Sequence, residues 1–588
     1  MTATTPEDAL HWRRTLNVGG LLGAFNDAGV LDSADVHVAT RLTAQAGEAS
    51  ETAALALALA VRALRSGSVC VDLTTVATEL DDPVDPQLSW PEPQHWLAEL
   101  RTSPLLGETP VLRLYRDRLL YLDRYWREEE QVCADLLAVR PDPPAVDVPL
   151  LEAGLARVFH RPDSEEQRRA VRIALSQWIT VLTGGPGTGK TTTVAGLLAL
   201  LTEQAEHGGR RRPRIALAAP TGKAAARLQE AVRVEVENLA AVDRARVSGL
   251  QAVTLHRLLG FRPGTSARFK HHRGNRLPHD VVVVDETSMV SLTLMARLLE
   301  AVRPETRLIL VGDPDQLASV EAGAVLADLV DGLGDRTDVR IAELVTSHRF
   351  GASIGQLAQA VRAGDGERVL ALLTAGGEHI EFVDTEQPAE ALRAVLVPHA
   401  MRVRAAAGSG DATAALAALE EHRLLCAHRE GPSGVRFWNH QVERWLAEAT
   451  GESFYAPWYL GRPVLVTAND YGLGLYNGDT GVTLLAGDGL RVAIAGADKV
   501  QQFATSRLSD VETMHAMTIH KSQGSQADEV TVLMPPEDSR LLTRELLYTA
   551  ITRAKRKVRI VGTAAEVRAA LDRRVVRASG LAHRLAQR

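Results

Sequence analysis

The segment ITVLTGGPGTGKTTT, residues 179–193, joins a short β-branched run to a glycine-rich turn and a lysine–threonine pair. Ile179, Thr180, Val181 and Thr183 favour a strand, and Lys190 and Thr191 open a helix, which is the context a phosphate-binding P-loop requires. Gly184, Gly185, Pro186, Gly187, Thr188 and Gly189 make the turn between them. Its glycines let successive backbone N–H groups converge on phosphate oxygens, while the helix directs the positive end of its dipole at the anion. Lys190 supplies a point charge for the β- and γ-phosphates and Thr191 a hydroxyl for Mg²⁺, with Thr192 beside them in the nucleotide-binding set.

A triphosphate site also needs acids, and VVVVDETSM (residues 281–289) places Asp285 and Glu286 just past an apolar run. In a P-loop ATPase an acid there holds the metal and its neighbour orients or deprotonates the attacking water, so Asp285 is assigned to Mg²⁺ and Glu286 to water. Gln316, in VGDPDQLASVEAG (residues 311–323), is a neutral amide that can sense the γ-phosphate; taken alone it fits a loop residue equally well. Gln167, in the capping-type pattern SEEQ, could read an adenine edge bidentately. Arg349 in TSHRF and Arg553 in LYTAITRAK would set guanidinium groups on developing phosphate charge, each worth about 10³–10⁵ in rate for arginine fingers generally. Either one alone reads better as a surface arginine. Both fall in the second half of the chain, so a site that uses them closes two units on one nucleotide.

The elements that must position these groups follow from pattern. Strands are expected at Ile179–Thr183, Ile215–Ala219, Val281–Val284 and Leu308–Val311, separated by helical stretches, and again at Leu424–Ala427, Val464–Thr467, Val530–Leu533 and Val558–Val561. Such alternation implies two α/β units with parallel sheets and ligands at the strands' carboxyl ends. Before them, residues 1 to about 145 read as a separate, mainly helical domain. There Glu51–Arg65 forms a helix capped by Ser50, its leucines not confined to one stripe, followed by a strand at Val69–Leu73. Three prolines in RPDPPAVDV (residues 140–148) mark a linker. The expected division is therefore 1–145, 146–345 and 346–588, with a basic insertion at about 261–280 and a small β insertion at about 461–500 signalled by the turn Asn477-Gly478.

A chain of 588 residues exceeds one core, and its 45% hydrophobic and 24% charged composition is that of an ordinary globular protein. The net charge of −7 argues against a surface coated in lysine and arginine, so any nucleic-acid contact must be a local groove. Cys70, Cys133 and Cys426 lack metal-ligand spacing and read as buried free thiols in a reducing cytoplasm. No apolar run approaches the ~20 residues needed to cross a bilayer.

The ordered set GGPGTGKT, APTGKAAARL, TLHRLLG, VVDETSM, GDPDQLASVEAG, SHRF, TIHKSQGS and ELLYTAITRAK resembles the motif series of superfamily 1 DNA helicases. More narrowly, QLASVEAGAVL, LLCAHREGPSGV and GRPVLVTANDYGLGLYNGDTGV are similar to the RecD family, the α subunits of RecBCD exonuclease V complexes. The N-terminal DVHVATRL and SGSVCVDL share the likeness. The resemblance implies two RecA-like motor domains and ATP-driven movement 5′ to 3′ on single-stranded DNA in double-strand break repair and recombination. It also implies partnership with RecB-like and RecC-like subunits at duplex ends, cleavage being left to a partner. Thr221, Gly222, Lys223, Thr254, His256, Thr518, His520, Lys521 and Gln523 would lie on or near the single-strand track, and residues 261–280 would form a strand-separating hairpin. Polarity comes from the resemblance alone. Taken singly, each of these His and Thr residues reads better as a structural hydrogen bond, whereas for residues 261–280 a solvated loop is the lesser alternative to the hairpin. Thr287 and His348 stand where the family more often has Ala and Tyr, and neither is assigned a phosphate contact. Two other readings stay open: a P-loop switch that binds DNA or protein without moving, and a stand-alone helicase of the same family, which often carries a longer N-terminal extension.

Overall fold

The computed structural model describes residues 13–587 except 17, 81–87, 139–141, 262–268, 335, 337–339, 347–351, 455, 471, 488 and 497–499. The expected helix Glu51–Arg65 is present, with the Ser50 hydroxyl accepting the Ala53 N–H, and Leu55, Leu57 and Leu59 are all buried. It packs with helices Gly20–Asp27, Ser33–Ala46 and Pro93–Thr102 around Phe25 and Trp96. A three-stranded antiparallel sheet lies beside them, with Leu119–Leu122 between Cys70–Asp72 and Leu112–Tyr115. This N-terminal region does not close on a core of its own throughout. Val69, Tyr121, Val132 and Leu136 join Ile179, Val181 and Leu308 in one apolar cluster, and helix Asp123–Leu136 lies on helix Leu292–Ala301.

The P-loop strand belongs to a six-stranded, all-parallel sheet in the order Ala252–Thr254, Ile215–Ala219, Val281–Val284, Arg307–Gly312, Ile179–Gly184, Arg340–Leu344. Helices cover both faces, which is why Val281–Val284 is buried at every position instead of alternating. A second all-parallel sheet runs Ile380–Asp384, Ala554–Gly562, Ala527–Leu533, His422–Cys426, Ala516–Thr518.

Three expectations are corrected. Val464–Thr467 is not a strand of the second parallel sheet: Pro463–Val466 lies in a separate antiparallel sheet, paired with Thr480–Ala486 and Val511–Thr513. A short apolar run looks the same in either setting, since both bury it. That five-stranded insertion also extends past residue 500, through Val500–Ala504 to Thr513. Finally, the chain assigned as 346–588 to one unit does not finish there. Helix Leu581–Gln587 packs on Val325–Leu333 and Asp123–Leu136, where Gly332 permits a close approach: a Cβ there would sit 2.7 Å from the Ala582 carbonyl. Of the basic insertion, Phe261 pairs with Phe269 and His272 with Asn275 as antiparallel bridges, and residues 262–268 fall outside the described set. The three cysteines are buried free thiols.

Candidate active site

Gly187 and Gly189 take positive φ, 83° and 86°, and turn the chain from strand Ile179–Gly184 into helix Lys190–His207. The loop is tightly packed at Gly184 and Gly189: a Cβ at Gly184 would lie 2.6 Å from Thr188 Oγ1, and one at Gly189 3.1 Å from Gln167 Nε2. Lys190 folds back over the loop, its Nζ donating to the carbonyls of Gly184 at 2.6 Å and Gly185 at 2.9 Å. The ammonium is thereby held at the mouth of the turn, where an anion would meet it.

Across the sheet, strand Val281–Val284 delivers Asp285 and Glu286 to the same opening. Glu286 adopts φ 51°, a left-handed conformation that costs a non-glycine residue of order 1 kcal/mol. It donates its N–H to Asp285 Oδ1 at 2.9 Å. Burial, then the neighbouring Glu286 charge, pushes the Asp285 carboxyl above the usual carboxylate range, with Lys190 and Arg227 pulling the other way. Two crowded carboxyl groups beside the Thr191 hydroxyl make an all-oxygen donor set that a hard cation would relieve.

The other wall comes from the second sheet. Arg553 is 3% exposed and donates from Nη2 to Gln316 Oε1 at 2.9 Å and from Nε to the Thr549 carbonyl at 3.0 Å. Gln316 Nε2 donates in turn to Asp313 Oδ2, and the Tyr548 hydroxyl donates to that same oxygen, both at 3.0 Å. The next residue is gripped at both backbone polar groups: Leu317 N–H donates to Thr549 Oγ1 at 3.0 Å, and its carbonyl accepts from Gln523 Nε2 at 2.7 Å. Burial lowers the Arg553 pKa and the Glu286 charge opposes that shift, so the guanidinium remains a buried cation facing the acids. Asp313, Tyr548 and Thr549 were not assigned from sequence. Asp313 carried the signal already used for Asp285, an acid just past a strand end, and the other two stand within five residues of Arg553 in the same motif.

Between the walls lies a cleft of about 850 Å³, within the ~300–1,000 Å³ of small-molecule sites. Lys190, Thr191, Thr192, Asp285, Glu286, Gln316 and Arg553 all line it, as does Gln167, whose Nε2 donates to the Thr188 carbonyl at 3.3 Å. Arg349 and His348 lie outside the described residues.

Residues 27–119 match the family model of the RecBCD enzyme subunit RecD, N-terminal domain; 167–322 match an AAA domain and 513–561 a UvrD-like helicase C-terminal domain. The RecBCD enzyme subunit RecD of Mycobacterium tuberculosis is 68% identical over 572 residues, 97% of each chain. This chain belongs to the RecD family. The RecD subunit of Mycolicibacterium smegmatis is 66% identical over 565 residues, 96% of this chain and 99% of that one. The ATP-dependent RecD2 DNA helicase of Deinococcus radiodurans is 30% identical over 452 residues, 76% of this chain and 55% of that protein. The chain is thus a RecD-type, ATP-dependent DNA helicase, and the P-loop at the mouth of this cleft lies within the residues that match the AAA domain.

None of the nine RecD residues expected on the single-strand track lines this cleft. Thr221 and Thr254 cap helices Gly222–Asn238 and Leu255–Leu259, accepting from Ala224 and Arg257 N–H groups, both at 3.2 Å. Gly222 meets the antiparallel insertion: a Cβ there would fall 2.6 Å from Tyr476 Cβ. Lys223 is half-buried beside Gly478, and burial followed by the Arg423 charge pulls it down to about 8. The His256 ring packs against Phe261 and Phe269 at 5.9 and 5.8 Å. Thr518 accepts the Lys521 N–H at 3.2 Å, the Lys521 ammonium pairs with Glu512 at 3.0 Å, and burial lowers His520. Gln523 already joins the two sheets through Leu317.

Proposed function

We propose that this chain is a 5′ to 3′ single-strand DNA translocase and the motor subunit of a RecBCD-type complex that acts at duplex ends in double-strand break repair and recombination. The observation that carries the reading is the buried bond between Arg553 and Gln316, which sets a cation from the second sheet against the acids and lysine of the first. ATP would lie on the loop Gly184–Gly189 with Lys190 at its phosphates and Gln167 at its base. Thr191 and Asp285 would hold Mg²⁺, which supplies charge neutralisation at the phosphate oxygens when bound. Glu286 orients water, Gln316 registers the γ-phosphate, and Arg553 with Arg349 takes up developing charge as the sheets close.

Hydrolysis then changes the spacing of the two sheets, and the loops bearing Thr221, Gly222, Lys223, Thr254, His256, Thr518, His520, Lys521 and Gln523 convert that change into movement along a strand. Single-strand tracks of this kind use local polar and basic groups, which agrees with a net charge of −7. Residues 261–280 part the duplex. The mycobacterial relatives are named RecBCD enzyme subunits, which supports RecB-like and RecC-like partners, with the N-terminal region as the docking element. Among the described residues no helix is long and apolar enough to cross a membrane, and the buried thiols suit a cytoplasmic setting.

Strand displacement on duplexes with a 5′ or a 3′ single-strand tail, with and without the partner subunits, tests the reading. Unwinding is expected from the 5′ tail and with ATP only. Unwinding from the 3′ tail would reverse the polarity, and DNA-stimulated ATPase without displacement on any substrate, partners present, would favour a switch.

A further inference from the structure

After helix Ala564–Asp572 the chain leaves the second sheet and runs back along the loop that follows Gln316. Arg577 stands at this crossing. Its Nη1 donates to the Ser319 carbonyl, to that of Glu321 at 3.3 Å and to that of Gly323 at 3.4 Å. From the other side it is backed by Gly67 of the N-terminal region, where a Cβ would lie 2.9 Å from the guanidinium carbon. Gly67 also accepts the Gly323 N–H at 2.9 Å, so the loop end is held from both directions.

The returning strap is itself fastened to the N-terminal region. Val69 N–H donates to the Ala578 carbonyl at 3.0 Å, and Ala578 N–H to Ser68 Oγ at 3.1 Å. Glu129 is fully buried and accepts from Ser579 Oγ at 2.9 Å, Gly580 N–H at 3.1 Å and Arg584 Nε at 3.1 Å. The Arg584 guanidinium lies 4.0 Å from the Tyr115 ring centre. A buried ion pair of this kind fixes one arrangement, because displacing either partner strands the other charge.

The loop so gripped connects two surfaces. At one end Asp313, Gln316 and Leu317 bond to Tyr548, Arg553, Thr549 and Gln523, with Gln316 and Arg553 facing the cleft. At the other, Val320 is 76% exposed, the Glu321 charge acts on His256, and the Arg577 charge acts on His520, both expected on the single-strand track. Among the described residues Arg577 has no carboxylate partner, and its buried Nε has no acceptor. Its role is therefore set by the geometry of three carbonyls and not by an ion pair.

We propose that Arg577 is a positioning residue for DNA-stimulated ATP hydrolysis. It holds Ser319–Gly323 in the register at which Gln316 meets Arg553, and it makes that register depend on the seating of the C-terminal strap against the N-terminal region. The inference rests on the proposed function, in that single-stranded DNA must stimulate turnover. Misplacing a catalytic group by about 1 Å can lower a rate up to about 10²-fold, so a loop freed at one end has ample leverage.

The test measures ATP turnover of the full chain with and without oligo(dT) for wild type, Arg577→Ala, Arg577→Lys and Gly67→Ala. Arg577→Ala should lose about tenfold in DNA-stimulated kcat, a larger fraction than it loses of DNA-independent turnover, while the KM for ATP and the Kd for oligo(dT) stay put. Gly67→Ala, which displaces the guanidinium from the N-terminal side, should show the same selective loss. Arg577→Lys keeps the charge without the planar fork and should remain low. Full stimulation in both the Arg577→Ala and Gly67→Ala proteins, full recovery with lysine, or an equal loss of basal and stimulated turnover would overturn the inference. A wild-type protein that oligo(dT) fails to stimulate would overturn the proposed function first, and this inference with it.

Discussion

The two parallel sheets have similar strand content and opposite roles at the cleft. The first offers a loop, a lysine and two acids at its strand ends, the groups to which the proposed function gives the triphosphate and its cation. The second has no phosphate loop; what it contributes is buried and reaches across, with Arg553 on Gln316, Tyr548 on Asp313, and Thr549 and Gln523 on either side of the Leu317 peptide. The lesson is that binding groups can be local to one sheet, whereas groups that act on developing charge are best carried by an element whose position depends on closure.

Breaking each side separately should therefore give different failures. Lys190→Ala is expected to abolish turnover, a loss at least as large as the ~10³–10⁵ typical of a cation acting on the transferring phosphate, and to weaken ATP binding. Single-strand affinity should be retained, because the track residues lie off the cleft. Arg553→Ala is expected to lower DNA-stimulated turnover by about 10³ while nucleotide binding, followed by a fluorescent ATP analogue, persists. Equal loss of nucleotide binding in the two variants would erase the division between the sheets.

The same contrast explains what the sequence made legible. Groups of the first sheet sit in short loops after strongly apolar strands, so the residues from Gly184 to Thr192 and the pair Asp285–Glu286 could be assigned from local pattern. Contacts made by the second sheet are partnerships between distant segments, and no local pattern names Asp313 as the acceptor of Tyr548 or Leu317 as that of Gln523. Of the parallel-sheet strands, the four that escaped, Ala252–Thr254, Arg340–Leu344, Ile380–Asp384 and Ala516–Thr518, are the edges of the two sheets. Three are only three to five residues long with mixed or half-buried faces, and Ala516–Thr518, though buried, is too short to register. That the last helix packs outside the 346–588 unit was hidden for a related reason: an apolar face at Leu581 and Leu585 states that it is covered, and not by what.

A subtler variant sharpens the comparison. Tyr548→Phe removes one hydroxyl from the second sheet and leaves Asp313 with Gln316 as its remaining side-chain donor in this network. A hydrogen bond to a charged group is worth about 1.5–3 kcal/mol, so kcat should drop by roughly ten- to a hundredfold with little change in the KM for ATP. Steady-state kinetics at saturating oligo(dT) decide it; an unchanged kcat would mean that Asp313 and Gln316 keep their places without the second sheet.

At neutral pH the last expected effect vanishes, and it appears on acidification. Beneath the second sheet, burial holds His399 down to about 4 and His422 well below its ordinary value, with His515 at about 3. Arg402, Arg423, Arg462 and Arg559 add to the shifts, Glu421 opposes that of His399, and the Ala418 carbonyl and Thr531 hydroxyl bond the neutral rings. An unfolded histidine takes its proton near 6.5, so below that pH the unfolded state binds protons that the folded state refuses. Stability then falls by up to about 1.4 kcal/mol per pH unit for each ring. Beside the first sheet the sign is opposite. Burial raises Asp328 to about 8, so its folded form gains a proton as the pH drops through 8 and its contribution to stability grows. Acidification from pH 7 to 5 should therefore loosen the second sheet before the first, read by hydrogen exchange of peptides from Ala527–Leu533 against those from Val281–Val284. His399→Leu should flatten the acid limb of the second sheet and leave that of the first alone; parallel loss of protection in both sheets would show that the two share one acid-sensitive core.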